Sequence, residues 1–351
     1  MSSDPFCRKR RNEPYMYMMT GKDSGEKFKS KIGGQALVEG IMMRGIDCSA
    51  MACRLPDGTI DVEKWSIRNG KNAPWYLKAP FVRGCFNFAI SVIDGMKCTM
   101  KSAEKQADAD DSETPEEEMS AFEKWFSDTK LGKSIDAKLE GEHGKEILST
   151  ITLVITLIMM AVFIAALKFI PMLLSGLLTY IHAPDWSKTV AEGVIKLGLI
   201  IFYMWAISHM KEMHRTFMYH GAEHKSIACY EHGLELNVEN IRAQTRFHPR
   251  CGTSFIMLVV LISICIGMFL PWTNIFVRFG LQLLLLPVEA SVGYELIRLA
   301  GRYDNILTRI LSAPGLWLQR ITTQEPDDSM IEVAIAALTP CLPVDKEDDR
   351  W

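Results

Sequence analysis

Apolar residues are unevenly distributed along this chain, and their longest run sets the first expectation. Residues 147–170, ILSTITLVITLIMMAVFIAALKFI, carry no charge before Lys168. As a helix this stretch would be about 36 Å long, enough to cross the hydrocarbon layer of a bilayer. Three further apolar stretches lie at 194–208, 254–272 and 275–297; the one at 194–208 is short, and the last is interrupted by Pro287. Together they predict an α-helical polytopic membrane protein with about four transmembrane helices, within a membrane domain spanning 121–338. For the short and the interrupted stretches a helix buried in a globular core is the competing reading, since short apolar runs are weak signals.

The pattern upstream is different. Two partly alternating runs flank Pro56-Asp57-Gly58, a turn signal resting on proline's fixed φ and glycine's tolerance of positive φ. Apolar residues then recur at mixed three- and four-residue spacing over 79–103, which predicts an amphipathic helix on a core or on the membrane surface. The spacing leaves open whether this segment enters the bilayer. Residues 31–103 therefore read as a small β-containing α+β cytoplasmic or interfacial region. Residues 1–30, with the basic tract CRKRR and no periodicity, read as a disordered N-terminus, 104–120 as an acidic linker, and 339–351 as a tail.

Charge gives the orientation. Lys130, Lys133, Lys138 and Lys145 precede the first apolar stretch, whereas 171–192 holds only Lys188 as a basic residue. Lys211, Arg215, Lys225, Arg242, Arg246 and Arg250 fill the next connection, and Arg298, Arg302 and Arg309 follow the last stretch. Basic residues accumulate on the cytoplasmic side, so a multi-pass plasma-membrane protein with both termini in the cytoplasm fits every connection. A formal net charge of -3 gives no electrostatic footprint for nucleic acid. The lipid bilayer is the partner that the pattern requires. Nine cysteines occur as singletons without a C-x-x-C pair, which fits a reduced setting for the parts outside the membrane.

The cytoplasmic connection 209–253 holds the candidate chemistry. YHGAEHKS, 219–226, sets His220 and His224 one helical turn apart, so that both imidazoles can reach one metal ion. Glu223 between them makes the pattern H-x-x-E-H, the reverse of H-E-x-x-H, in which the glutamate serves as general base. RFHPRCGTS, 246–254, adds His248 and Cys251 in the same connection. Three of these four ligands would leave a position for water, whereas all four would close the shell and make a structural site. His214, Glu231 and His232 are further ligand types in less constrained surroundings. The bland alternative is a set of histidines at a helix end beside the headgroups. A third reading gives Cys251 a low-pKa thiol through neighbouring Arg250. Glu289 and Glu295, in or beside the last apolar stretch, are candidate ligands or partners of a ligating histidine. No internal repeat and no charged pathway through the four stretches is apparent, so a transporter is the weakest class. Downstream, PGLWLQRITTQEPDD reads as a segment anchored at the interface by Trp317, with Asp328 or Ser329 capping a helix through IEVAIAAL.

GGQALVEGIMMRG, YHGAEHKS, HPRCGTSF, the glutamate of GYEL, and PGLWLQRITTQEPDD followed by IEVAIAAL resemble the YqhQ-like bacterial membrane proteins, domain of unknown function 1385. The resemblance extends from Gly33 to about Leu338 and does not depart at His220, Glu223, His224, His248 or Cys251. It implies a multi-pass protein of the bacterial inner membrane with a metal-dependent activity whose substrate is open. The expected function is that of a zinc-type metal-dependent hydrolase with Glu223 as catalytic base, acting on a membrane-associated peptide or lipid-linked substrate. The alternative is a membrane assembly factor or scaffold that docks a membrane protein complex around a structural metal or a His/Glu network.

Overall fold

The computed structural model describes residues 28–67, 74–110, 142–303, 305–343 and 349. It is mostly helical, with one small antiparallel sheet near the N-terminus. The expected disordered segment up to Phe28 and most of the acidic linker lie outside the described residues, but the edges of both differ from expectation. Ser30 is fully buried, and residues 104–110 continue a helix.

The sheet is a meander in chain order: β1 (Gly33–Leu37), β2 (Gly40–Arg44), β3 (Cys48–Arg54) and β4 (Ile60–Ser66). The β3–β4 turn forms where Pro56-Asp57-Gly58 predicts it: Gly58 has φ 86 and Asp57 Oδ1 accepts from Thr59 N at 2.8 Å. Alternation sends the strands' side chains to two faces, and both faces are covered. Helix α1 (Val82–Asp110) covers one, burying Leu37, Met42, Met51 and Cys53 with Cys98. The other face, with Ile41, Met43, Ala50 and Ala52, packs on α4 (Lys211–Glu231) and α10 (Asp328–Leu338). IEVAIAAL is therefore a core helix; its N-cap is Asp327, one residue before the expected pair, whose side chain accepts from Met330 N. Between α4 and the next long helix lies only the short α5 (Val238–Arg242).

The remaining helices pack as a bundle. They are α2 (Glu142–Gly176), continued by a 3-10 turn Leu177–Ile181, then α3 (Asp185–Ile207), α6 (Gly252–Gly267), α7 (Ile275–Leu284), α8 (Leu286–Arg302) and α9 (Ile306–Thr322). Among the described residues, Leu153–Ile181 and Asp185–Ile207 are long and apolar enough to cross a membrane, and α7 with α8 makes a third if the pair bent by 45° counts as one span. At 16 residues, α6 is shorter than its expected stretch. The break at Leu285 falls just before Pro287, which cannot donate into the α7 hydrogen-bond ladder. Helix α3 begins nine residues before the expected 194, because Lys188 and Glu192 are buried within it rather than held in a loop. The stretch expected to be anchored at the interface by Trp317 lies largely in α9, which runs through Pro314 and Gly315; Trp317 is half exposed on it.

Candidate functional site

Helix α4 carries His220, Glu223 and His224 on the side facing two extended segments, 243–251 and 322–327. Its register is fixed from both sides. Arg215 on its first turns forms a two-pronged ion pair with Glu39 at 2.5 and 2.6 Å, and Tyr219 donates to the same carboxylate at 3.2 Å. Glu39 occupies the β1–β2 turn with φ 48, so the VEG of GGQALVEG is the clasp that holds α4 to the sheet. Gly34 on β1 lies directly over Glu223: a Cβ there would come within 3.0 Å of its carboxyl carbon, and the Gly34 N–H donates to the carboxylate. On the opposite side, a Cβ at Gly221 would sit 2.0 Å from the Gln324 carbonyl oxygen, so only glycine lets the TTQEP segment lie against the helix.

That segment and 243–251 supply the acceptors that orient the two imidazoles. His220 Nδ1 donates to the Thr322 carbonyl at 2.8 Å, and His224 Nδ1 donates to the Arg246 carbonyl at 2.6 Å. With Nδ1 spent on a backbone oxygen, each ring turns Nε2 inward. His220 Nε2 lies 3.0 Å from Cys251 Sγ, and the ligand atoms of His220, His224 and Cys251 all lie within 4.8 Å of one another. His224 Nε2 is buried with no hydrogen-bond partner, and so is Glu223 Oε2. Unpartnered buried polar atoms are costly, and an unpartnered His224 Nε2 beside His220 Nε2 and the Cys251 thiol is the arrangement a metal ion would complete. Backbone carbonyls on the distal nitrogens are also the usual partners that fix a ligating imidazole. The donor set, two neutral imidazole nitrogens and a thiolate, suits a zinc-type ion and leaves a position for a further ligand.

The electrostatics agree with the geometry. Burial alone would raise the Cys251 thiol, but His220 and His224 reverse the sign and hold it well below the ordinary range. Burial alone would lower His220, yet the Cys251 thiolate and Glu223 push it up to about 10. In the metal-free protein these two groups therefore form an imidazolium–thiolate pair. Glu223 is pushed up by burial, against the pull of both histidines. Of the four groups only His220 is half exposed, so the cluster is approached from its side.

His248 lies beside the triad rather than in it. Its ring centroid is 5.4 Å from that of His224, but its Nε2 accepts from Arg250 Nη2 at 3.0 Å. Burial, Arg250 and the two other histidines push its pKa down, so it stays neutral. Its backbone is held by Gln319, whose Oε1 accepts from His248 N at 2.8 Å and whose Nε2 donates to His248 O at 2.7 Å. Arg250 is likewise committed elsewhere, to Glu231 and the Ser30 carbonyl, so the low thiol pKa comes from the histidines and not from Arg250.

The lower-ranked candidates are also placed apart. Glu289 accepts from Lys168 at 2.8 and 3.1 Å inside the bundle, and Glu295 is clamped by Arg83 at 2.5 and 2.7 Å. His232 Nδ1 pairs with Gln244 at 2.7 Å, and His214 is exposed. Sequence reasoning missed Gly34, Gln319 and the carbonyls of Arg246 and Thr322. A carbonyl acceptor has no residue signature, although the GGQ and ITTQ motifs mark where these groups lie. It also missed, contrary to the expectation of no charged pathway, the buried charges that join Glu289 in the bundle: Lys168, Glu192, Lys196 and Arg278.

No solved structure matches this chain. Over 324 residues it is 31% identical to the Bacillus subtilis (strain 168) protein described as "Uncharacterized protein YqhQ", an alignment that covers 91% of this chain and 94% of that one. The sequence profile of the family described as "Protein of unknown function (DUF1385)" matches residues 79–344, which include all four groups of the cluster. By that match and by the relative, the chain belongs to the DUF1385 family.

Proposed function

We propose that the protein is a metal-dependent hydrolase of the plasma membrane, with four membrane passes, both termini in the cytoplasm, and a zinc-type ion held by His220 Nε2, His224 Nε2 and Cys251 Sγ. The observation that carries the reading is the buried, unpartnered His224 Nε2 beside two other ligand atoms. The apolar helices, together with the basic residues gathered at the end that bears the sheet, support the membrane placement. A divalent ion at this position supplies Lewis acidity toward a water or a substrate carbonyl. The chain's own residues do the rest. Glu223 Oε2 is free to take up a proton from an attacking water and to return it to a leaving group, and burial places its affinity for that proton above that of an ordinary carboxylate. Gly34 N–H holds the other end of the carboxylate in place. The half-exposed edge at His220 admits a substrate presented at the membrane surface, a membrane-associated peptide or a lipid-linked compound.

The test is a survey of N-acyl peptide and ester substrates with the full chain in detergent. Hydrolysis that a chelator removes, that zinc restores and that Glu223→Gln abolishes while keeping the metal supports the reading. Metal-loaded protein inert toward every member of the set, or Glu223→Gln as active as the native chain, contradicts it. A second reading, a scaffold around a structural metal, draws on the burial of Glu223, His224 and Cys251; it expects a stoichiometric membrane partner that co-purifies equally with Glu223→Gln.

A further inference from the structure

Apart from Lys188, which pairs with Asp185 at the start of α3, five charged side chains among the described residues are nearly inaccessible inside the helix bundle: Lys168, Glu192, Lys196, Arg278 and Glu289. Helices α2 and α3 turn Ile155, Ile158, Val162, Phe202 and Trp205 outward, so these charges lie behind an apolar shell, where an uncompensated charge is expensive. The pairing is uneven, with three cations to two carboxylates. Glu289 gives both oxygens to Lys168. Glu192 gives Oε2 to Arg278 at 3.0 Å and Oε1 to Gln282 at 2.7 Å, and is left 3.4 Å from Lys196. Lys196 is thus the surplus cation.

Ser263 on α6 joins the two halves. Its Oγ lies 3.4 Å from Lys168 Nζ and 3.3 Å from Lys196 Nζ. A hydroxyl between two ammonium groups can accept from both, but its own proton then points at neither. If one amine is neutral, Oγ accepts from the charged lysine and donates to the neutral one. The bridge is therefore best satisfied when the two lysines hold one ammonium proton fewer than their maximum, and exchange of that proton reverses the roles of the two ends. The hydrogen-bonded chain reads Glu289, Lys168, Ser263, Lys196, Glu192, then Arg278 and Gln282. At its far end Arg278 Nη1 donates to the Leu270 carbonyl at 2.7 Å in the α6–α7 connection, next to Trp272. Arg278 Nε and Gln282 Oε1 are buried there without partners. Arg278 lies on α7 and Glu289 on α8, on either side of the 45° bend between them. The Glu295–Arg83 ion pair lies six residues beyond Glu289, about 9 Å further along α8.

We infer that this chain is a proton path through the bundle, with the Lys196–Ser263–Lys168 bridge as its exchange centre. In the elementary step an N–H bond of Lys196 breaks and an O–H bond forms on Glu192 Oε1, turning an ammonium and a carboxylate into an amine and a carboxylic acid. Proton transfer across Ser263 from the Lys168 ammonium restores Lys196: Oγ gives its proton to the Lys196 amine as it takes one from Lys168. Lys168 is reprotonated from the Glu289 side, and the Glu192 proton leaves to water at the α6–α7 connection. The reverse order carries a proton inward. No other reactant is needed.

The inference rests on the membrane placement proposed above but not on the metal site. Its test is proton flux into sealed phosphatidylcholine vesicles carrying the full chain, read by an entrapped pH dye under a potassium–valinomycin potential. Flotation of the protein with the vesicles after an alkaline carbonate wash is measured first; failure to float overturns the membrane placement itself. Given insertion, the native chain is expected to dissipate the gradient faster than protein-free vesicles. Lys196→Met and the milder Ser263→Ala are expected to fall to the protein-free rate, the second covering the case in which the first does not fold. Inserted native protein no faster than protein-free vesicles, or Ser263→Ala as fast as native, overturns the proton path and leaves the membrane placement standing.

Discussion

The protein holds two buried polar clusters that differ in how their atoms are spent. In the bundle, Lys168, Glu192, Arg278 and Glu289 are paired with one another, each charge with an opposite charge or an amide against it, and the atoms left over, Arg278 Nε and Gln282 Oε1, belong to groups whose other atoms are bonded. In the cluster between α4 and 243–251, both imidazoles spend Nδ1 on carbonyls, His220 Nε2 meets the Cys251 sulfur, and His224 Nε2 and Glu223 Oε2 have no partner. Mutual satisfaction makes a framework whose value lies in its members' charges. Reserved lone pairs make a vacancy for something that the chain does not itself supply. The two clusters should therefore respond differently when a member is removed.

The largest effect is expected in the bundle. Glu289→Gln leaves the Lys168 ammonium buried without a counter-charge and should destabilise the protein by about 3–5 kcal/mol, read as a lower midpoint in thermal unfolding of the detergent-solubilised chain. Next, Gly221→Ala drives a methyl into the Gln324 carbonyl and displaces the segment that orients His220. It should cost about 1–3 kcal/mol as an overpacked contact and weaken metal binding at the same time. Cys251→Ser breaks the His220–Cys251 pair but lets His220 become neutral, so the midpoint of metal-free protein should fall less than in Glu289→Gln, while zinc affinity falls by more than the ~100-fold typical of an outer-shell change. A large loss of stability in metal-free Cys251→Ser would erase the contrast, because it would make the cluster another framework.

The smallest effect is a proton count. His220 in the metal-free protein is raised to about 10 by its thiolate neighbour, so at neutral pH its Nε2 carries a proton that a metal must displace, whereas Cys251 has already lost its own. Zinc binding should therefore release about one proton near pH 7, measured from the dependence of calorimetric heat on buffer ionisation. Apparent affinity should rise about tenfold per pH unit up to the His220 value and flatten above it. Release of two protons would mean that the thiol, too, is protonated in the metal-free protein.

What could be read from the sequence divides along the same line. The cluster was legible because His220, Glu223 and His224 lie within one helical turn and Cys251 follows in the same connection, so that local spacing carries the geometry. The exclusion of His248 was not legible, since it depends on Arg250 turning toward it and on Gln319 reaching it from 71 residues away. The sheet announced itself through Pro56-Asp57-Gly58, and α4 and α10 through their motifs. The bundle framework stayed hidden for a physical reason: Lys188, Glu192 and Lys196 make the start of α3 look like a polar connection, and only in three dimensions do Arg278, Gln282 and Ser263 neutralise or bridge those charges. Glu289 stood out in the sequence as a costly carboxylate, but its partner Lys168 lies 121 residues away and pairs with it in the bundle, apart from the His220–His224–Cys251 cluster.

The most direct test of the vacancy is metal content. Native protein purified in detergent without chelators or a histidine tag would be compared by elemental mass spectrometry with a His220→Ala, His224→Ala double variant that keeps its fold. Zinc or another transition metal near one equivalent per chain, absent from the variant, is the expected result. Well-folded native protein that is metal-free and fails to take up added zinc would contradict the account.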